Sequence, residues 1–165
     1  MRKYLAAIFL LLMSASLAMC MQKLGEWIKY TSAEGRYSVS LPSQPNLSTQ
    51  QATSADGQPF PQYLASGVEP GDVAFIVAYF DALPGMVFSA DAARDGMVKR
   101  INGSLISESD ITLSGYPGRE LKVATNPPAN EAADSTKPAR TQYMVHARFY
   151  EADKRVYLLQ FIFPR

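Results

Sequence analysis

Two runs of apolar residues predict a sheet whose central strands are buried on both faces. The first run is Val73-Ala-Phe-Ile-Val-Ala-Tyr-Phe80, and the second is Val156-Tyr-Leu-Leu-Gln-Phe-Ile-Phe163 with one polar interruption at Gln160. Short apolar runs bounded by turn residues are typical of strands that are covered on both sides. We therefore expect both runs to lie in the interior of one sheet.

Weaker patterns on the N-terminal side of Val73 predict further strands. Tyr37-Ser-Val-Ser-Leu41 alternates apolar and polar residues, as a half-buried strand does. Segment 47–65 is polar and has Asp56-Gly57 near its centre, which indicates a hairpin. Pro59 and Pro61 indicate that this hairpin lies at a sheet edge or projects from the sheet, because proline cannot donate a ladder hydrogen bond. Segment 21–30 has one apolar anchor, Trp27, with Ile28 and Tyr30 close by, and Trp27 is expected to cover the core.

The second half of the chain predicts one helix and the remaining strands. Apolar residues recur at helical spacing over residues 90–102, with Ser89 placed to cap the start and Gly103 just past the end. Segments 105–113, 120–125 and 141–150 are expected to be strands, with a type II turn at Tyr116-Pro117-Gly118-Arg119. The expected fold is α+β, a mostly antiparallel sheet of about six to seven strands with one main helix packed on it.

The first twenty residues have the three parts of a secretory signal peptide. Arg2 and Lys3 precede an apolar run over residues 4–13, and small residues follow as far as Cys20. This run is shorter than the roughly twenty residues that a membrane-spanning helix needs. We expect a signal peptide over residues 1–20, cleaved near residues 18–20, followed by a single domain over residues 21–165 that works in the periplasm or outside the cell.

The end of this signal fits three kinds of processing. Ser16-Leu17-Ala18 suits cleavage after Ala18, and Ala18-Met19-Cys20 suits cleavage after Cys20. Leu17-Ala18-Met19-Cys20 approaches a bacterial lipobox, although Met19 stands where a small residue is usual, and lipidation of Cys20 would anchor the protein to a membrane. Since Cys20 is the only cysteine, no disulfide can form within the chain.

Composition and charge are those of an ordinary globular domain. The chain is 47% hydrophobic and 19% charged, and without Arg2 and Lys3 it carries 14 basic residues against 15 acidic ones. A nucleic-acid-binding surface needs a cluster of basic residues, and none stands out here. We therefore expect no nucleic-acid partner.

A few residues could carry chemistry, but no pattern among them defines an active site. His146 is the only histidine, so the usual zinc and serine-hydrolase constellations are not expected. Two carboxylate pairs, Asp91 with Asp95 and Glu108 with Asp110, are better explained as solvated surface than as cation ligands. Neither a cofactor nor a metal is expected. Arg119, Glu120 and His146 are the candidate contact residues for a partner, and an ion pair that fixes the hairpin explains Arg119 and Glu120 equally well.

Four segments resemble one family of small exported bacterial proteins. They are Gly35-Arg-Tyr-Ser-Val-Ser-Leu-Pro-Ser-Gln-Pro45, Ala92-Ala-Arg-Asp-Gly96, Gly103-Ser-Leu-Ile-Ser-Glu108 and Gly115-Tyr-Pro-Gly-Arg-Glu-Leu121. Residues 27–163 thereby resemble the PsbP-like, or Mog/PsbP, α/β/α sandwich. The resemblance implies a fold, and it implies a final helix beyond the last strand that this sequence lacks. Members of the wider fold act as binding or assembly modules, and their functional residues have no counterparts that can be matched here.

Two functions are compatible with these observations. The first is a non-enzymatic binding or assembly module outside the cytoplasm, associated with the cell envelope if Cys20 is lipidated. It would contact a protein or envelope component through an exposed loop over residues 126–140, through the Asp56-Gly57 hairpin, or through both. The alternative is a small-ligand-binding domain or enzyme with a site near His146 and Arg119.

Overall fold

A computed structural model describes residues 27–54, 57–126 and 141–165. In this part of the chain nine strands and one helix follow one another. In chain order they are β1 (Ile28–Ser32), β2 (Tyr37–Leu41), β3 (Asn46–Thr53), β4 (Pro59–Glu69), β5 (Val73–Asp81), α1 (Ala90–Arg100), β6 (Gly103–Leu113), β7 (Tyr116–Thr125), β8 (Tyr143–Ala152) and β9 (Arg155–Pro164).

Seven of the strands form one antiparallel sheet with the order β3-β4-β5-β9-β8-β7-β6. The two apolar runs are β5 and β9, which pair with each other at the centre of this sheet, as predicted. The α+β class, with a mainly antiparallel sheet and one helix, is confirmed. β1 and β2 form a separate two-stranded sheet.

Helix α1 covers one face of the large sheet over β7 and β8. Its buried residue Met97 packs on Leu121 and Val123 of β7 and on Val145 and Phe149 of β8. Within each strand these residues are two or four positions apart, so their side chains point to the same face. They are at most 5% exposed and form the main core of the domain.

The β1–β2 sheet covers the opposite face, over β5 and β9. Leu41 of β2 is buried with Phe75 and Val77 of β5, and Tyr37 and Leu159 pack against this group. The helix and the small sheet therefore protect different strands on opposite sides of the large sheet. On the side of the small sheet, β6, β7 and β8 are left without a covering element among the described residues.

The helix begins where its sequence predicts and ends slightly earlier. The Ser89 hydroxyl accepts a hydrogen bond from the Ala92 amide at 3.2 Å, which satisfies a backbone donor of the first turn. At the other end Ile101 is the cap residue, and Asn102 takes the left-handed conformation with φ 47. Gly103 is already the first residue of β6 and does not terminate the helix.

The turn predicted at Tyr116-Pro117-Gly118-Arg119 is wrong, because the hairpin reverses three residues earlier. Leu113 pairs with Tyr116, and the two turn residues Ser114 and Gly115 have φ values of 52 and 86. Positive φ at both central residues is typical of a type I′ turn, whose twist matches that of the strands. Gly118 lies in β7 instead, where a Cβ atom would come within 2.4 Å of the Phe149 carbonyl oxygen.

The polar hairpin of β3 and β4 lies at a sheet edge, as its prolines predict. β3 is the edge strand and β4 its neighbour. Pro59 and Pro61 precede Tyr63, the first residue of β4 that pairs with β5, so they are opposite β3 alone. At these positions β4 is paired on one side only, so the absent proline N–H groups interrupt no hydrogen bonding between two flanking strands. Gly57 of the turn has φ 85, and Asp56 lies outside the described residues.

The N-terminal side of the domain differs from the prediction. Residues 28–32 form strand β1, which pairs with β2 and alternates between half-buried and exposed side chains. Trp27 is 60% exposed and does not cover the core. The predicted signal peptide, Cys20 and all of the predicted 126–140 loop except Asn126 lie outside the described residues.

Candidate functional site

An open cleft lies beside the β1–β2 sheet, on the face of the large sheet opposite the helix. Its volume is about 760 Å³. Tyr37 and Val39 of β2 form one wall, and the β6–β7 turn with Leu113 and Tyr116 lies on the other side. The floor is formed by Val77, Tyr150, Tyr157 and Leu159.

Strand register explains why these floor residues meet. Val77 of β5 is opposite Leu159 of β9, and Tyr150 of β8 is opposite Tyr157 of β9. Residues directly opposite each other in an antiparallel pair point to the same face. Three central strands therefore place aliphatic and phenolic side chains side by side, and the small sheet covers only part of this surface.

Charged residues surround the mouth of the cleft near the β8–β9 turn. Arg155 donates hydrogen bonds to Asp81 at 2.6 and 2.8 Å and to the Glu34 carbonyl oxygen at 2.7 Å. The hydrogen bond from Arg155 lowers the pKa of Asp81, so this carboxylate stays ionised. The Tyr157 hydroxyl donates to the Gly35 carbonyl oxygen at 2.9 Å. These bonds hold the β1–β2 turn against the large sheet.

Arg36 is a second guanidinium at the mouth of the cleft. It is exposed, has φ 54 and makes no ion pair with any described residue. The left-handed conformation costs a bulky residue about 1–2 kcal/mol. Its charge helps to lower the pKa of Asp81, but no described residue forms an ion pair with it beside the apolar floor.

Tyrosine rings form a cluster between the cleft and the β3–β4 hairpin. Tyr37 is its centre, with ring centroids 6.1 Å from Tyr30, 6.2 Å from Tyr79 and 6.2 Å from Tyr157. Tyr63 stacks on Tyr79 at 5.0 Å. Burial, with a smaller contribution from the neighbouring phenols, raises the pKa of Tyr37 to about 12. The wall of the cleft is thus neutral and aromatic over the usual pH range.

Arg119 lies away from this cleft, under the helix. Its guanidinium donates a hydrogen bond to Glu108 of β6 and lies 3.2 Å from Asp91 of the helix. Its Nε is 2.8 Å from Asp110 in an ion pair but has no hydrogen-bond partner among the described residues. Arg94 of the helix contacts the same Glu108 at 3.0 Å. The hydrogen bond from Arg119, with a second from Arg94, lowers the pKa of Glu108. This ionic cluster joins α1 to β6 and β7.

Glu120 and His146 lie on the opposite face from Arg119. Glu120 accepts a hydrogen bond from Arg148 at 2.7 Å, and this bond lowers the pKa of Glu120. The His146 ring is half-buried and packs edge-on against Phe163, with centroids 5.7 Å apart. Arg119 and Glu120 are thus each bound to other residues of the chain rather than to each other.

None of the three candidate contact residues, Arg119, Glu120 and His146, lines the cleft. The cleft was not predicted, because its walls come from strands that are far apart in the sequence. The sequence contains one local indication of the cleft's lining, because tyrosine is frequent in segments where it alternates with small or apolar residues. That pattern indicates a buried aromatic face but does not indicate a cavity.

No helix among the described residues has the length and apolar character needed to cross a membrane. No group of three or more histidine, cysteine or acidic side chains among them is arranged to hold a metal ion.

Comparisons with known proteins add little to this description. No family model matches the sequence, and no curated protein matches it. Among solved structures, the protein of unknown function PA94 from Pseudomonas aeruginosa is similar to 84% of this chain over 83% of its own length. The two share 16% sequence identity with a TM-score of 0.41.

Proposed function

We propose that this chain is a non-enzymatic binding domain that works outside the cytoplasm and takes a small amphipathic ligand in the cleft beside the β1–β2 sheet. The observation that carries the proposal is the cleft itself, about 760 Å³ with an aliphatic and phenolic floor. Ligand sites of folded proteins typically have volumes of about 300–1,000 Å³ and mostly apolar linings with a few polar groups. The export signal predicted over residues 1–20 supports the location.

The lining indicates the chemistry of the ligand. Val77, Leu159 and the rings of Tyr150 and Tyr157 would contact an aromatic or aliphatic body. Arg36 at the mouth, with no ion-pair partner among the described residues, would attract an anionic group. An organic anion with an apolar body matches both features.

Anilinonaphthalene sulfonate, a fluorescent aromatic anion, is a direct probe of this proposal. We expect the full chain to bind one dye per protein with saturable fluorescence. Ala152 lines the cleft, so Ala152→Trp should fill it and weaken dye binding at least tenfold. Ala33→Trp is the matched control, since Ala33 is exposed and does not line the cleft.

Two results would contradict the proposal. One is a wild-type protein that binds no dye at saturating concentration. The other is an Ala152→Trp variant that is folded by circular dichroism and binds the dye as tightly as Ala33→Trp does. Native mass spectrometry of the protein purified from cells would complement the dye, because a natural ligand would add the same mass to wild type and to Ala33→Trp only.

A further inference from the structure

The two edges of the large sheet differ in how they are protected against pairing with another strand. β3, at one edge, pairs with β4 over eight consecutive residues without interruption. It contains neither a charged residue nor a proline, and all of its side chains except Ala52 are exposed. An exposed, regular and uncharged edge strand presents unpaired backbone donors and acceptors to any strand that can align with it.

β6, at the opposite edge, has two of the features that prevent such pairing. Its register with β7 shifts between Leu105 and Ser107, so that Ile106 forms a bulge. It also carries Glu108 and Asp110. Bulges and charged residues are common devices against edge-to-edge association. One edge of this sheet is therefore blocked, whereas at the other edge no described strand pairs with the outer side of β3.

We propose that β3 pairs antiparallel with β3 of a second copy of this chain, so that one continuous sheet runs through a symmetric dimer. In a two-fold interface the same surface of both copies meets, so residues equally far before and after the axis on β3 lie opposite each other. A charged strand would then place like charges opposite each other, as β6 would with Glu108 and Asp110. β3 has no such charges, and symmetric pairing there meets no repulsion.

The side chains of β3 suit self-pairing. Thr49, Gln50 and Gln51 can each donate and accept hydrogen bonds, so those that meet across the two-fold axis can bond to each other. Leu47 is 66% exposed and would be partly covered by the second strand. A partner recognised by its charge would need a complementary charge on β3, and the strand offers none.

A single pair of edge strands buries less surface than the roughly 1,200–2,000 Å² of a standard interface, so the dimer should be weak and concentration-dependent. Sedimentation velocity of the full chain over a range of concentrations should show a reversible monomer–dimer equilibrium. Thr49→Lys/Gln51→Lys should shift it to monomer, because two-fold pairing would bring four ammonium groups together. Ser107→Lys/Ser109→Lys on β6 adds the same charge at the opposite edge and should leave the equilibrium unchanged.

Cysteine cross-linking tests the pairing independently of these charges. In a Cys20→Ser background, cysteine at Thr49, Gln50 or Gln51 should form disulfide-linked dimers at least tenfold faster than cysteine at Ser107, with one β3 position fastest. A wild-type chain that stays monomeric at every concentration would overturn the proposal. So would a dimer that the β3 and β6 lysine pairs weaken equally, or cross-linking at Ser107 as fast as at β3.

Discussion

At the scale of single residues, Tyr37 links the cleft to the stability of the fold. Its pKa is raised from 10.0 to about 12 because the phenol is buried among other tyrosines. The unfolded chain therefore ionises this group at lower pH than the folded chain does. The corresponding stability is fully present below pH 10 and is lost as pH rises from 10 to about 12.

We expect Tyr37→Phe to lose less stability than wild type over this alkaline range. Denaturant unfolding at a series of pH values would measure the free energy, and tyrosinate absorbance of the folded protein would follow the ionisation. Tyr116→Phe serves as the control, since Tyr116 is 40% exposed and outside the tyrosine cluster. Equal alkaline slopes for Tyr37→Phe and Tyr116→Phe would contradict the assignment.

At the scale of elements, Ser114 of the β6–β7 hairpin turn is not the residue type best suited to its backbone conformation. Ser114 has φ 52 and Gly115 has φ 86, and Asn-Gly is the preferred pair for such a turn. Ser114→Asn should therefore raise the free energy of unfolding by about 0.5 kcal/mol, since asparagine tolerates the left-handed region better than serine. The midpoint of urea unfolding measures this gain.

Ser109 provides the comparison for that substitution. It is exposed in the extended strand β6, where asparagine is unfavourable. Ser109→Asn should be neutral or slightly destabilising. A Ser114→Asn variant no more stable than wild type would show that the turn is not limited by its backbone conformation.

Elements that are determined by residues close in the sequence were predictable, and features that depend on contacts between distant strands were not. Ser89 caps the helix through a bond three residues away, and β5 and β9 follow from their own apolar runs. Pro117-Gly118 satisfies the local rule for a type II turn, but Gly118 is required by the close approach of Phe149 and Tyr150 on β8. No local pattern contains that contact.

The same distinction separates the candidate site from the residues predicted for it. Arg119 and Glu120 stand out as adjacent opposite charges, yet in a strand adjacent side chains point to opposite faces. Their real partners, Glu108 and Arg148, lie on the neighbouring strands on either side. The cleft depends on where the β1–β2 sheet packs, and a five-residue strand such as β1 contains no information about that position.

At the scale of the whole molecule, ion pairs between neighbouring strands make stability depend on acid pH. The pairs are Asp81 with Arg155, Glu108 with Arg119, and Glu120 with Arg148. Hydrogen bonds from these arginines lower the pKa of each carboxyl below its ordinary value of 3.8 for aspartate or 4.5 for glutamate. Their stabilisation is therefore fully present above these values and is lost as pH falls through the lower pKa of the folded state.

We expect the melting temperature to change little between neutral pH and about pH 5 and to fall at lower pH, because protonation breaks all three pairs. Asp81→Asn/Glu108→Gln/Glu120→Gln should be less stable than wild type at neutral pH and should converge with it in acid. Calorimetric melts over this range measure both effects.

Asp72→Asn/Glu151→Gln is the control, since neither residue forms an ion pair with a described arginine, and it should keep the acid dependence of wild type. If the triple variant also kept the acid dependence of wild type, the acid sensitivity would arise from groups other than these inter-strand pairs.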